Sequence, residues 1–352
     1  MESELIRLPG LVDLHVHLRD PGQTHKEDFL TGTSAALAGG FTTVLDMPNN
    51  AVPVTGAAVL SAKAELASSR VVCDVGLYLG SLGQDLPELA DPAGLAWGVK
   101  LYLNVTTGGY LLDVERVADV MRAWPGPGPV LVHAESDVVG TALAAAAASG
   151  RRLHVCHVSC RAELEPVLAA KRAGLPVTCG VTPHHLFLTE DDAAQWGAFG
   201  QVRPSLATKA DVEFLWEHLD GIDVVESDHA PHTAAEKKEG AFGFPGLETT
   251  LPLLLQAERQ GLLTRADLIA RCATNPRAIL GLPEQPDTVV EVEPVEFEIS
   301  AEGLHTRAAW TPFAGMRGFG RVRRVVLRGE RVFEDGQVLA APGTGRVLRP
   351  QR

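Results

Sequence analysis

Residues 11–18 read LVDLHVHL, and Arg19 follows. From position 13 every second residue is polar, with Asp13, His15, His17 and Arg19 interleaved with Leu14, Val16 and Leu18. In an extended chain alternate side chains share a face, so one side of a largely apolar strand would carry an acid, two imidazoles and a guanidinium. What that face is for depends on what the rest of the chain builds around it.

Similar β-branched or apolar runs recur at 41–46 (FTTVLD), 71–79 (VVCDVGLYL), 98–103 (GVKLYL), 130–133 (VLVH), 153–158 (LHVCHV), 177–181 (VTCGV) and 222–227 (IDVVES), with helical stretches between them. Strands alternating with helices indicate βα units and a parallel sheet, and eight of them predict a closed (β/α)8 TIM barrel. EDFLTGTSAALAGG (27–40) ends in a Gly pair suited to a helix C-cap; SDVVGTALAAAAASG (136–150) opens on a Ser/Asp N-cap candidate and closes on Gly. The helix-rich stretch 247–280 completes the wall. The barrel is expected to span 9–284. Residues 1–8 and 285–352 are expected to form a small β appendage, with EDG in VRRVVLRGERVFEDGQVL (322–339) as a hairpin turn.

The chain has 352 residues, 45% hydrophobic and 21% charged, and contains no run of the ~18 apolar residues a membrane span needs. MESELIRLPG carries neither a basic leader nor an apolar signal core, so a cytoplasmic location is expected. Five cysteines without a CxxC pair indicate neither a disulfide framework nor a zinc finger. A net charge of −13 opposes binding to nucleic acid. The basic run RVRRVVLR (321–328) reads as the solvated face of a strand.

Active sites of such barrels lie at the C-terminal ends of the strands. His15 and His17 end the first strand, Lys100 lies in the fourth, His133 ends the fifth, His157 ends the sixth, and Asp228 follows the eighth. One strand histidine is ordinarily a hydrogen-bonded structural residue. Four of them and an aspartate at the ends of four strands converge on one axial point, and imidazole with carboxylate is a zinc donor set. Five donors exceed the needs of one catalytic zinc and suggest two ions. Lys100 has two readings: an ion pair with a carboxylate such as Asp228, or, once carbamylated by CO2, an anion able to bridge two metals.

DLHVHLRDPG (13–22), GFTTVLDMPN (40–49), GVKLYLN (98–104), VLVHAE (130–135), CHVS (156–159), CGVTPHHLFL (179–188), VRPSL (202–206), SDHAPHTAAEK (227–237) and GFPGLET (243–249) follow one another in order. With them the chain resembles, nearly end to end, the dihydroorotase family of the amidohydrolase superfamily, nearest the form fused into the animal multifunctional pyrimidine-synthesis protein. The resemblance implies two Zn2+ per subunit. One is held by His15, His17, Lys100 and Asp228, the other by Lys100 (as N6-carboxylysine), His133 and His157, with a hydroxide between them. It implies reversible cyclisation of N-carbamoyl-L-aspartate to L-dihydroorotate in de novo pyrimidine (UMP) biosynthesis, with Asp228 as general acid/base. Arg19, Asn49 and His232 would hold the substrate's idle carboxylate, and Thr106 would act from a covering loop, NVTTGGY (104–110). Arg203 reads either as a further contact to substrate or as a structural ion pair.

The chain departs from the family at several positions. Gly180 stands where the animal form has an acid linked to an extra metal, so no third zinc involving Cys156 is expected. Thr107 replaces a bulkier apolar residue. On alternation Cys156 should point away from His157 as a packed thiol, and Glu226 should face outward toward a helix. His184 and His185 read as structural, and Asp13 as support for a neighbouring ligand. A hydantoinase or allantoinase would share the metals without the carboxylate clamp. A non-catalytic subunit supporting aspartate carbamoyltransferase is a third reading, and association with that transferase or homodimerisation is compatible with activity.

Overall fold

The computed structural model describes residues 4–84, 86–91, 93–106 and 109–351. After a first strand, β1 (Ile6–Pro9), eight parallel strands bond to one another in chain order: β2 (Leu11–Val16), β3 (Phe41–Asp46), β4 (Asp74–Gly80), β5 (Ala96–Tyr102), β6 (Val130–His133), β7 (Leu153–Val155), β8 (Val177–Val181) and β9 (Val224–Val225). The ring closes where Val16 bridges His229 and the His17 N–H donates to the His229 carbonyl at 2.8 Å. The fold is the expected (β/α)8 barrel. β2, β7 and β9 stop short of the ends of their apolar runs, and the backbone shows why. His157 and Asp228, just past β7 and β9, have φ of 38° and 43°, and Arg19, past β2, has 62°. A non-glycine residue in that region cannot continue a strand.

Residues such as Val44, Leu77, Val99, Val132 and Val155 pack outward with the helices, whereas Val12, Leu45, Tyr78, Trp97, Leu131 and Val224 form a separate cluster that fills the barrel. The helix Phe29–Ala38 starts at an Asp28/Thr31 capping box. Of the Gly pair after it, Gly40 takes the left-handed φ of 82°, while a Cβ on Gly39 would lie 2.2 Å from the Leu247 carbonyl oxygen. The helix Val138–Ser149 ends on Gly150 at φ 68° as expected, but Asp137 does not cap it. The Ser136 N–H donates instead to the buried Glu163, which also accepts from Ser159 and so ties the chain after β6 to the chain after β7.

β10 (Val289–Glu298), β11 (Arg317–Leu327), β12 (Glu330–Glu334) and β13 (Gln337–Val338) form an antiparallel sheet that β1 completes, with Ile6 opposite Val292. Asp335 and Gly336, both at positive φ, make the EDG turn. Along β11, Val322, Val325 and Leu327 are buried while Arg321 and Arg323 are exposed, the alternation expected for that basic run. The tail leaves this sheet and runs beside β4, where Val347 bridges Val75. Among the described residues no helix is long and apolar enough to cross a membrane.

Candidate active site

The strand ends bring the expected donors together. His15, His17, His133 and His157 are buried, with ring centroids 5.2 Å apart for His15–His17, 5.0 Å for His15–His157 and 4.7 Å for His133–His157. Burial, followed by the positive neighbours Arg19 for His17 and Lys100 for His15, holds both imidazoles well below their ordinary pKa; burial and His133 do the same for His157. A neutral imidazole offers a lone pair, the form a metal takes. His15 Nε2 and His17 Nε2 lie 3.3 and 3.0 Å from Asp228 Oδ1. His15 Nδ1 and His157 Nδ1 are buried without a hydrogen-bond partner. Neutral imidazole nitrogens and a carboxylate oxygen crowded at one point, His15 Nε2, His17 Nε2 and Asp228 Oδ1, are a donor set that fits a zinc-type cation.

Lys100 is completely buried, and among the described residues no carboxylate lies within 4.0 Å of its Nζ. The ion pair with Asp228, the first of its two readings, is not formed; the ammonium donates to Cys156 Sγ at 3.0 Å. Two further expectations fail together. Cys156 faces the interior beside Lys100, because the left-handed turn at His157 breaks the alternation that would separate them. Glu226 also faces inward: Oε1 accepts the His157 N–H at 2.6 Å, and Oε2 lies 3.7 Å from His15 and 3.6 Å from His154. Burial raises this carboxyl, but His154 and the His157 contacts bring it below the usual range. Gly180 makes the space, since a Cβ there would meet Glu226 Oε1 at 2.4 Å and Cγ at 3.0 Å. Because Oε1 is held by the His157 amide it cannot swing aside freely. Gly180→Ala is expected to destabilise the fold by roughly 1–3 kcal/mol, read as a lowered Tm in thermal denaturation; an unchanged Tm would mean that Glu226 does not fill that space.

Asp13 proves to be the brace for Asp228. Its carboxylate accepts N–H bonds from His15 at 3.0 Å and Ser227 at 3.1 Å, fastening β2 to the residue before Asp228. On the other side His229 faces Glu27, a fully buried carboxylate that also accepts from Thr306 and from the Arg307 N–H of the appendage. Asp228 is therefore held at its strained φ from both neighbours. Burial pushes its carboxyl up to about 7, against the opposing pull of Lys100.

Arg19 and His232 are buried together beside this cluster: Nη2 is 3.1 Å from His232 Nε2, and Arg19 Nε donates to the Pro231 carbonyl at 3.2 Å. Asn49 Oδ1 lies 2.7 Å from His17 Nδ1, linking this group to the donors. Thr106 borders the same cavity with a buried, unpartnered Oγ1; Thr107 and Gly108 of the expected covering loop lie outside the described residues. Arg203 makes the ion pair of its second reading, 3.8 Å from Glu135, and its guanidinium lies 4.9 Å from the Phe242 ring centroid. The cavity, bordered by Arg203, Phe242 and Thr106, holds about 40 Å³, room for a water or two. A larger cavity of about 450 Å³ lies against the appendage sheet and touches none of these residues.

Sequence reasoning passed over Glu135, which accepts from His133 Nε2 at 2.9 Å and thereby turns Nδ1 toward His157 Nε2, 3.0 Å away. Its signal was its place two residues after His133 in VLVHAE. Lys63 was also missed: wholly buried, it pairs with Asp46 at 2.7 Å and donates to the Met47 carbonyl and Asn50, holding the turn that carries Asn49. His184 and His185 are structural, as expected. His185 sits between Thr182 and the Pro204 carbonyl, and His184 lies edge-on to Phe244.

Residues 6–155 match the model of the Amidohydrolase family. The chain is 47% identical over 98% of its length to the multifunctional protein CAD of Squalus acanthias, of which it spans only 16%. It is 37% identical to a dihydroorotase of Pyrococcus abyssi, over 99% of this chain and 89% of that protein. Among solved structures, the L-hydantoinase (dihydropyrimidinase) of Arthrobacter aurescens superposes with a TM-score of 0.92 at 26% identity, covering 97% of this chain and 88% of its own.

Proposed function

The chain belongs to the dihydroorotase family of amidohydrolases, and from that premise we propose that it interconverts N-carbamoyl-L-aspartate and L-dihydroorotate. One observation supports this most: a buried guanidinium–imidazole pair, Arg19 and His232, stands immediately beside the convergent histidines and Asp228. A cyclic amide whose reacting carbonyl meets the cluster needs such a pair only if the ring also carries an anion. Dihydroorotate does, and a simple hydantoin does not, although the hydantoinase barrel is closely similar.

In this reading His15, His17, Lys100 as carboxylysine and Asp228 would hold one zinc ion, and the carboxylysine, His133 and His157 a second; when bound, the ions would supply Lewis-acid activation of the ring carbonyl and of the attacking water. Asp228 accepts that water's proton. As the ring C–N bond breaks, Asp228 returns the proton to the departing amide nitrogen; in the cyclising direction the same transfers run backward and water leaves. Arg19, His232 and Asn49 hold the unreacting carboxylate, so that ring orientation is set before chemistry begins. Glu135 keeps the His133 proton on Nε2, and Asp13 with Glu27 keeps Asp228 in place. Thr106 and Arg203 close the site from the mouth.

Metal-replete protein assayed in both directions, with hydantoin and allantoin in the same panel, tests the proposal. Turnover of carbamoyl aspartate and dihydroorotate is expected, and its absence overturns the reading. Arg19→Met is expected to retain zinc and raise KM about ten- to a hundredfold, since roughly 1.5–3 kcal/mol of charge-assisted bonding is lost. Zinc content measured beside the kinetics checks this. Gel filtration alone and with aspartate carbamoyltransferase examines the proposed homodimer and transferase association.

A further inference from the structure

Lys237 closes the motif SDHAPHTAAEK and belongs to none of the groups described so far, yet it is wholly buried near the end of the short helix Ala234–Lys238. Its ammonium donates to three backbone carbonyls, those of Gln201 at 2.6 Å, Ala241 at 2.7 Å and Gly243 at 3.2 Å. Burial pushes its pKa down to about 7, but only the protonated form has three donors; a neutral amine would turn its lone pair on one of the oxygens. Among the described residues no carboxylate lies within 4.0 Å of Nζ; Glu236, its neighbour on the helix, is paired with Lys26 and His25 instead. The ring centroids of Phe244 and Trp310, 5.1 and 5.5 Å from Nζ, complete the cage. Two of the three carbonyls flank Phe242, and the third stands two residues before Arg203. Phe242, Gly243 and Arg203 all line the catalytic cavity, the Arg203 guanidinium lies against the Phe242 ring, and the Phe242 backbone shares a hydrogen bond with the His232 ring. The Gly243 N–H donates at 3.2 Å to the same Gln201 carbonyl that Lys237 holds.

We propose that Lys237 is a positioning residue for substrate binding: by gripping the carbonyls on either side of Phe242 and that of Gln201, it fixes the wall that Phe242, Gly243 and Arg203 present to the substrate ring. This rests on the dihydroorotase reading and adds to it the group that orders this side of the site before substrate arrives. Without the ammonium, buried carbonyls lose their donor and the two segments are no longer joined through it. The ordering of Phe242 and Arg203 must then be drawn from the binding energy of the substrate. None of the three carbonyls belongs to a metal donor, so the effect falls on substrate affinity and not on the metals.

The test is Lys237→Met in the zinc-loaded protein. KM for N-carbamoyl-L-aspartate is expected to rise about tenfold, the cost of ordering two side chains on binding, with kcat within about threefold of wild type and zinc content unchanged. Lys237→Gln, which keeps two donors, should give an intermediate KM, and it carries the test if Lys237→Met does not fold. In a Phe242→Ala background Lys237→Met should raise KM by less than about threefold, because the side chain through which it acts is already gone. With 4-fluorophenylalanine in place of Phe242, the 19F spectrum should show one sharp resonance when Lys237 is present and a broadened or split one in Lys237→Met. A lowered Tm with KM unchanged would make the residue merely structural and overturn the proposal. So would loss of zinc, full additivity with Phe242→Ala, or an unaltered 19F resonance. Because the 19F readout needs no turnover, a protein inactive on both substrates would refute the assigned reaction while still deciding whether Lys237 fixes the wall.

Discussion

Lys100→Ala is expected to abolish turnover and metal binding together, lowering kcat at least about a thousandfold, equivalent to roughly 4 kcal/mol of barrier. The ground is the environment of the side chain. A lysine fully buried among four imidazoles, with a thiol as its hydrogen-bond partner and, among the described residues, no carboxylate within 4.0 Å, is an unusual structural element. The proposed carbamylation would turn it into an anion able to hold cations. Short carboxylic acids such as acetate should restore part of the activity and zinc content by occupying the vacated space. Kinetics and metal analysis on the same sample make the check, and retention of full activity would remove Lys100 from any bridging role.

Asp228→Asn should lower kcat by about 10²- to 10⁴-fold in both directions, the range for loss of a general acid/base. Asparagine keeps the shape that fits between His15 and His17 but cannot carry the proton. The comparison with Arg19→Met is informative, because one variant loses rate and the other loses substrate affinity. Should Asp228→Asn change KM alone, the carboxylate would be a binding group and the proton would travel by another route.

Much of this site could be read from strand periodicity. His15, His17, His133, His157 and Asp228 lie at strand ends, and barrel closure brings strand ends together whatever the intervening helices contain. What could not be read are the contacts that depend on backbone turning out of the strand. At His157 a φ of 38° sends two consecutive side chains inward and hides the placement of Cys156. Glu226, expected to face outward, turns inward where the chain has left β9 after Val225 and approaches the left-handed φ of 43° at Asp228. Glu27, Lys63 and Lys237 come from outside the strands, and their roles exist only once distant segments meet. Thr306, for example, reaches Glu27 across 279 residues.

The closure of the ring has a consequence for how the protein acquires activity. β2 meets the β9 end through bonds such as Ser227 N–H to Asp13, which join residues 214 apart in the chain. Those same bonds set the position of the proton-transferring carboxylate. The first barrel strand, β2, thus waits with one edge unpaired until the chain 214 residues further on has been made, and contacts of such separation form slowly. When the protein is refolded with zinc and CO2 present, completion of the fold and the onset of catalysis should therefore coincide.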